Sequence, residues 1–263
     1  MTTVADILKY VETLAPTYMK MDWDNVGLLC GSRETSVTKV LVALDPFEGV
    51  CREAVEWGAE LIVTHHPIIF DPLKSVTEET TVGRSIMTLC RHGISAVNAH
   101  TNLDCAPGGV NDVLADTLGL KDVETIPPFF RDDQGRQWGL LRRGRVEEQS
   151  LSQFLETVRS SLNAEGLRYV DGGKPVRLVA VGGGSCSDEL MSAFEAGCDT
   201  FVTADIKYNE FWDAQALGMN LIDAGHFATE NPVVAVLAEK IAAAFPEVQV
   251  KISETHRDCM KFY

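Results

Sequence analysis

Short apolar runs alternate with helical stretches along this chain, and that alternation limits the folds open to it more than any other feature. Residues 40–44 (Val-Leu-Val-Ala-Leu) end at Asp45-Pro46, and a helical stretch follows to Trp57 and stops at Gly58. Residues 61–63 (Leu-Ile-Val) form the next run; a helix around 85–91 then passes through Gly93 into a third run, 94–98. Short, wholly apolar runs bounded by turn residues read as strands buried on both faces, and the β-α-β-α-β order predicts an α/β fold with a largely parallel sheet. Ahead of them, Val4, Ile7, Leu8 and Val11 recur at helical spacing. Thr3 and Asp6 supply a capping-box pattern for this helix, and Pro16 lies just beyond its end.

The scheme repeats in the second half. Strands are expected at 178–181 (ending in Gly182-Gly183-Gly184), 201–203, 220–223 and 248–252, with helices near 188–195, 209–217 and 232–245. Ala54, Glu56, Gly58, Val63 and Thr64 recur at one constant, ungapped offset as Ala193, Glu195, Gly197, Val202 and Thr203. The repeat reads as a duplication, although any two strand-helix-strand units share some Ala, Gly and Val. The expected organisation is a first α/β half over 1–124, a connecting hairpin and helix over 125–175, and a second α/β half over 176–263. The connecting stretch holds Pro127-Pro128, Asp132-Asp133, a helical segment at 151–162 and the basic cluster Arg142-Arg143-Gly144-Arg145. That cluster reads as a solvated strand or turn before it reads as a phosphate or subunit contact.

Composition narrows the function. Twenty-three Lys+Arg stand against 38 Asp+Glu, a formal charge of −15, so a nucleic-acid binder or anionic-membrane binder is not expected. A hydrophobic fraction of 45% is enough for a sizeable core and argues against disorder. The N-terminal stretch has no basic region and interrupts its apolar pattern with Asp6, Lys9 and Glu12, so it does not read as a signal peptide. The seven cysteines are scattered without a CxxC pair, which reads as reduced thiols and a cytoplasmic protein.

Chemistry concentrates at strand ends. His65 and His66 follow the run 61–64 directly, where α/β folds place their sites. If the strand stops at Thr64, both imidazoles can turn the same way. The third run leads to His100 and Asp104, and the run 220–223 leads to His226 and Glu230, four apart and on one face if a helix begins there. Imidazoles and carboxylates together suit Zn, Fe, Mn or Ni. Such a set exceeds one tetrahedral site with an open position, and a pair of divalent ions about 3.5 Å apart with a bridging carboxylate suits it better. Gly182–Gly184 reads as a tight structural turn before a phosphate cradle, and Asp24–Gly27 as a turn in which Asn25 lines a pocket; Lys207, exposed by default, Arg84 or the Arg142–Arg145 cluster are the candidate cations for a phosphorylated substrate. His92 reads as a helix C-terminal cap and His256 as a surface residue.

The segments DWDNVGLLCGS, LIVTHHPIIF, NAHTNLDCAPGGVND, TADIKYNEF and DAGHFATE, in this order, closely resemble the GTP cyclohydrolase 1 type 2 homologue family, the Nif-three-like dinuclear-metal proteins. The resemblance covers nearly the whole chain, and the HHP and GHxxTE segments carry its specificity. It implies two similar βαβαβ-type halves with largely parallel sheets and the metal site in the cleft between them. It implies His65, His66, Asp104, His226 and Glu230 as ligands of two divalent ions, Glu230 bridging, with His100 as a proton shuttle. It also implies a homohexamer. Longer family members carry an inserted domain where this chain has only 125–175. The expected activity is metal-dependent hydrolysis of a purine nucleotide such as GTP or a related small molecule. A two-metal phosphoesterase and a non-catalytic metal-binding or interaction protein stay open as alternatives.

Overall fold

The computed structural model describes residues 1–131, 133, 135 and 137–263; Asp132 of the acidic pair lies outside them. It is a mixed α/β fold built on parallel strands, and the chain forms two compact units.

The first unit comprises Met1–Leu103 and Val234–Arg257. Among the described residues its five-stranded sheet runs Gly27–Cys30, Ser95–Asn98, Leu61–Thr64, Lys39–Ala43, Gln249–Ile252. The last four are mutually parallel, and Gly27–Cys30 lies antiparallel at the edge. The register sets Ala43 beside Thr64 and Thr64 beside Asn98, so three strands finish level. The residues that follow, Asp45, His65-His66 and His100, therefore leave the sheet at the same edge. Leu41, Ala43, Ile62 and Ala96 on one face pack against Val50, Cys51, Ala54, Ile86 and Leu89 of the helices Glu48–Trp57 and Thr81–His92. Gly58 and Gly93 end those helices in the left-handed conformation that glycine adopts without strain. The helix Val4–Leu14 starts on the full Thr3/Asp6 capping box.

The second unit comprises Asp104–Val233 and Asp258–Tyr263. Its sheet runs Lys121–Thr125, Arg142–Gln149, Val176–Val181, Thr200–Thr203, Asn220–Asp223, Arg168–Val170. The strands Val176–Val181, Thr200–Thr203 and Asn220–Asp223 are parallel, and the flanking ones are antiparallel. Alternation divides their side chains cleanly between two cores. Val179, Val181, Val202 and Ile222 pack with Leu114, Phe154 and Val158, while Ala180, Phe201 and Leu221 pack with Leu190, Ala193 and Met219. The stretch 125–175 supplies two flanking strands of this sheet as well as the helix Leu151–Ser161 and a small hairpin of Phe130–Arg131 with Gln137–Trp138. No helix among the described residues is long and apolar enough to cross a membrane.

One buried carboxylate ties the end of the first unit to its core. Glu53 accepts from Ser253 Oγ (2.6 Å), the Glu254 amide (3.0 Å) and Thr255 Oγ1 (2.7 Å), and Lys251 Nζ lies 3.1 Å away. Burial raises this carboxyl, but the bonds from Ser253, Glu254, Thr255 and Lys251 outweigh it and bring it from 4.5 down to about 2. A depressed folded-state value stabilises the chain fully above about pH 4.5, and that contribution is lost as the pH falls towards 2. Glu53→Gln is expected to cost roughly 1–3 kcal/mol at neutral pH. Thermal melts from pH 7 to pH 3 check this: the gap between wild type and variant should close on acidification, and a pH-independent gap would contradict it.

Candidate metal centre

In the first unit the Leu61–Thr64 strand ends in a turn closed by Thr64 Oγ1 donating to the His66 carbonyl at 2.7 Å. Extended geometry stops there, so the two imidazoles need not point to opposite faces. Their ring centroids lie 4.8 Å apart, with the His100 ring 5.2 Å from His65 and 5.4 Å from His66. One nitrogen from each of these three histidines falls within a mutual 4.8 Å, close enough to hold a metal ion.

The second unit gathers carboxylates. Asp104 and Glu230, both buried, have carboxylate oxygens within 4.8 Å of each other. The helix His226–Glu230 begins directly after the strand Asn220–Asp223 and its Gly225, and it brings His226 Nε2 to 3.0 Å from Glu230 Oε2. Burial and the negative charges of Asp104 and Glu230 together push the Cys186 thiol well up, so it stays a neutral neighbour and not a thiolate donor.

The second contacts of the histidines are uniform. Nδ1 of His65 donates to the Ala99 carbonyl at 2.9 Å. Nδ1 of His66 meets Asp45 Oδ1, Nδ1 of His100 meets Asp24 Oδ1, and Nδ1 of His226 meets Asp205 Oδ2, each at 2.7 Å. An imidazole that donates from Nδ1 keeps its lone pair on Nε2, and this is how proteins orient histidines that bind metals. Asp45 is shared, since its Oδ2 also meets His256 Nε2 at 2.8 Å. Burial raises the Asp45 carboxyl, but the hydrogen bonds from His256 and His66 hold it below the usual range. Burial likewise raises Asp24, and the bonds from His100 and Thr101 bring it down to about 2. Both therefore stand as anions behind their histidines at neutral pH. The donor set, imidazole Nε2 atoms plus buried carboxylates, fits borderline divalent cations.

The glycine turn at 182–184 is not a phosphate cradle. Its three amides are engaged within the protein: Gly182 on the Val202 carbonyl, Gly183 on Asn111 Oδ1 and Gly184 on Thr229 Oγ1. Its service is steric. A Cβ on Gly184 would stand 2.0 Å from Glu230 Oε1 and 3.1 Å from His226 Nε2, at a backbone φ of +63°. Asn111 completes the support, donating to the carbonyls of Asp104 (3.3 Å) and Leu140 (2.8 Å) while accepting from Gly183.

Several sequence-based expectations are corrected. The His256 side chain packs on Asp45 with 8% of its surface exposed and does not stand free on the surface. Arg142, at 2% exposure, bonds Asp112 and the carbonyls of Gly139, Cys105 and Ala106, because its strand lies inside the sheet. Arg143 pairs with Glu124, Arg84 with Glu48, and Lys207 with Asp188, so none of these four is a free cation for a phosphate. His92 caps its helix as expected, through Nδ1 and the Thr88 carbonyl. Asp24, Asp45, Asp205, Asn111 and His256 were not singled out as parts of a site. The only signals for the acids were positions at strand or turn ends, beside Pro46 and in the frame that aligns Asp205 with His66.

Two substitutions test this geometry. Asp205→Asn keeps a residue type that tolerates the φ of +53° there while removing the charge behind His226. Metal affinity, measured against a chelating dye, should fall by about 10–100-fold. Gly184→Ala should displace the Glu230 carboxylate and lower both metal content and melting temperature. Wild-type metal content in both variants would show that these groups do not orient the donors.

Comparison with known proteins agrees with the resemblance. The model of the DUF34/NIF3 (NGG1p interacting factor 3) family matches residues 2–259. A Clostridium perfringens protein named GTP cyclohydrolase 1 type 2 homolog is 35% identical over 262 residues, covering 98% of each chain, and one of the same name from Clostridium acetobutylicum is 33% identical with the same coverage. A Bacillus cereus protein related to NIF3 superposes with a TM-score of 0.92 at 26% identity, covering 100% of this chain and 99% of its own. A Staphylococcus aureus protein gives 0.89 at 28% identity, again over 100% and 99%. With the match spanning nearly its full length, the chain belongs to the DUF34/NIF3 family.

Proposed function

We propose that the chain is a metal-dependent hydrolase that binds two divalent ions through His65, His66, Asp104, His226 and Glu230, and acts on a purine nucleotide such as GTP or a related small molecule. One observation carries the reading: Nδ1 of each of the four histidines at strand ends is held by a protein acceptor, the arrangement by which proteins orient histidines that bind metals. The name shared by the relatives supplies the substrate class. Divalent ions bound by such donors supply Lewis acidity and bring the ionisation of water towards neutral pH.

The residues then divide the work. Asp45 and Asp205 orient His66 and His226, and Glu230, almost wholly buried, would lend its carboxylate to the ions. Opening a guanine imidazole ring adds water at C8 and requires a proton to reach the ring nitrogen that departs. His100 suits that transfer: Asp24 holds its Nδ1, so Nε2 takes up and returns the proton. The reading also carries a homohexamer and a reducing, cytoplasmic setting. The scatter of seven cysteines without a CxxC pair supports the latter.

Protein loaded with Zn, Mn or Fe and given GTP should yield a product that oxidises to a fluorescent pterin. Absence of product with every metal would remove cyclohydrolase chemistry, and a panel of phosphomonoesters, phosphodiesters and cyclic amides would then show whether a phosphoesterase takes its place. His100→Gln should lower the rate by roughly 10²–10⁴-fold with metal content unchanged. Glu230→Ala should lose metal altogether. Chelation should lower the melting temperature, by about 2.7 kcal/mol of stability if metal had been present at a hundred times its Kd. An unchanged melt after verified metal removal would contradict a site built into the fold.

A further inference from the structure

Trp23 and Phe70 are 63% and 53% exposed, and isolated exposed aromatics need no explanation. These two are not isolated. Their ring centroids lie 5.7 Å apart at an interplanar angle of 51°, and both rings meet the His100 imidazole, Trp23 at 6.2 Å and Phe70 at 6.1 Å, each near edge-on. The pair thus borders the histidine trio, with much of its aromatic surface open to solvent.

The two segments that carry it are fixed by polar bonds. Asn25 Nδ2 donates to the Ile69 carbonyl at 2.7 Å, joining the segment of Trp23 to that of Phe70. Asn98 Nδ2 donates to the Asn25 carbonyl at 3.2 Å, and Lys20 Nζ to the Asp24 carbonyl at 2.8 Å. Asp24, next to Trp23, holds both His100 and Thr101. An aromatic surface held this way loses little conformational entropy when something packs on it.

We infer that Trp23 and Phe70 form a recognition platform for a flat heteroaromatic ring presented beside His100, with Asn25 as its positioning residue. The inference rests on the hydrolase reading and names the part of the substrate that this unit selects. At 5.7 Å and 51° the two rings leave no space for a third between them, so a flat ligand ring stacks on the face of one and meets the other at its edge. Asp22 and Asp71, exposed and adjacent in sequence to the two aromatics, disfavour a phosphate here. The platform therefore takes the base end of a nucleoside-like molecule and leaves any phosphate elsewhere.

The test is calorimetric titration of the metal-loaded protein with guanosine and, separately, with ribose 5-phosphate, which lacks the ring. Trp23→Ala and Phe70→Ala should each weaken guanosine binding by roughly 5- to 150-fold, the range for loss of one base–aromatic stack. Ribose 5-phosphate should bind all variants as it binds wild type. Trp23→Phe should restore most of the guanosine affinity, whereas Trp23→Leu and Phe70→Leu, which keep apolar bulk but remove the π face, should not. Metal content at the wild-type level certifies that each variant is folded. Guanosine affinity unchanged in the Ala and Leu variants, or no guanosine binding to wild type, overturns the platform. Ring binding without turnover of GTP would sink the cyclohydrolase reading and keep the platform, and turnover unaffected by either Ala variant would do the reverse.

Discussion

A neutral imidazole has one proton for two nitrogens, and whatever holds that proton decides which lone pair is available. In this protein the constraint is met four times in the same way. A backbone carbonyl or an aspartate takes Nδ1 of His65, His66, His100 and His226, which puts the acceptor lone pair of each neutral ring on Nε2. The parallel register in the first unit makes this possible there, because the strands Lys39–Ala43, Leu61–Thr64 and Ser95–Asn98 end level and deliver their histidines and the supporting Asp45 to one edge. In the second unit the strand Asn220–Asp223 delivers the helix His226–Glu230, and the side-chain-free Gly184 leaves the space that the Glu230 carboxylate fills.

The acidity of the chain takes on a more specific meaning. A formal charge of −15 suggests only that polyanions are unwelcome. Some of that charge is internal: Asp24 and Asp45 are anions held by hydrogen bonds behind His100 and His66, and Asp104 and Glu230 are buried beside a thiol that burial, with their charge, keeps neutral. Four of the cations that a phosphorylated substrate would call upon are meanwhile committed. Arg142, Arg143, Arg84 and Lys207 each face a carboxylate of the same chain.

Much of the architecture was legible because it rests on local signals. Wholly apolar runs such as 40–43 and 61–63 are strands buried on both faces, and Gly58, Gly93 and Gly197 stop helices where the left-handed conformation is needed. The clustered histidines were legible because they lie within a few residues of those strand ends. Strands of mixed polarity were not: Arg142–Gln149 is charge-rich, and only its place beside Val176–Val181 makes it part of the sheet. The orienting acids were hidden for a different reason. Asp24 serves His100 and Asp45 serves His256 across long stretches of chain, and no spacing rule links residues that meet only after the sheet has formed.

The central claim is a centre of two divalent ions held by imidazole nitrogens and carboxylates. X-ray absorption spectroscopy of the metal-loaded protein, with elemental analysis of the same sample, tests it most directly. The account predicts two ions per chain, nitrogen and oxygen scatterers only, multiple scattering from imidazole, and a metal–metal vector of about 3.5 Å. A single ion, or sulfur in the coordination sphere from any of the seven thiols, would contradict it.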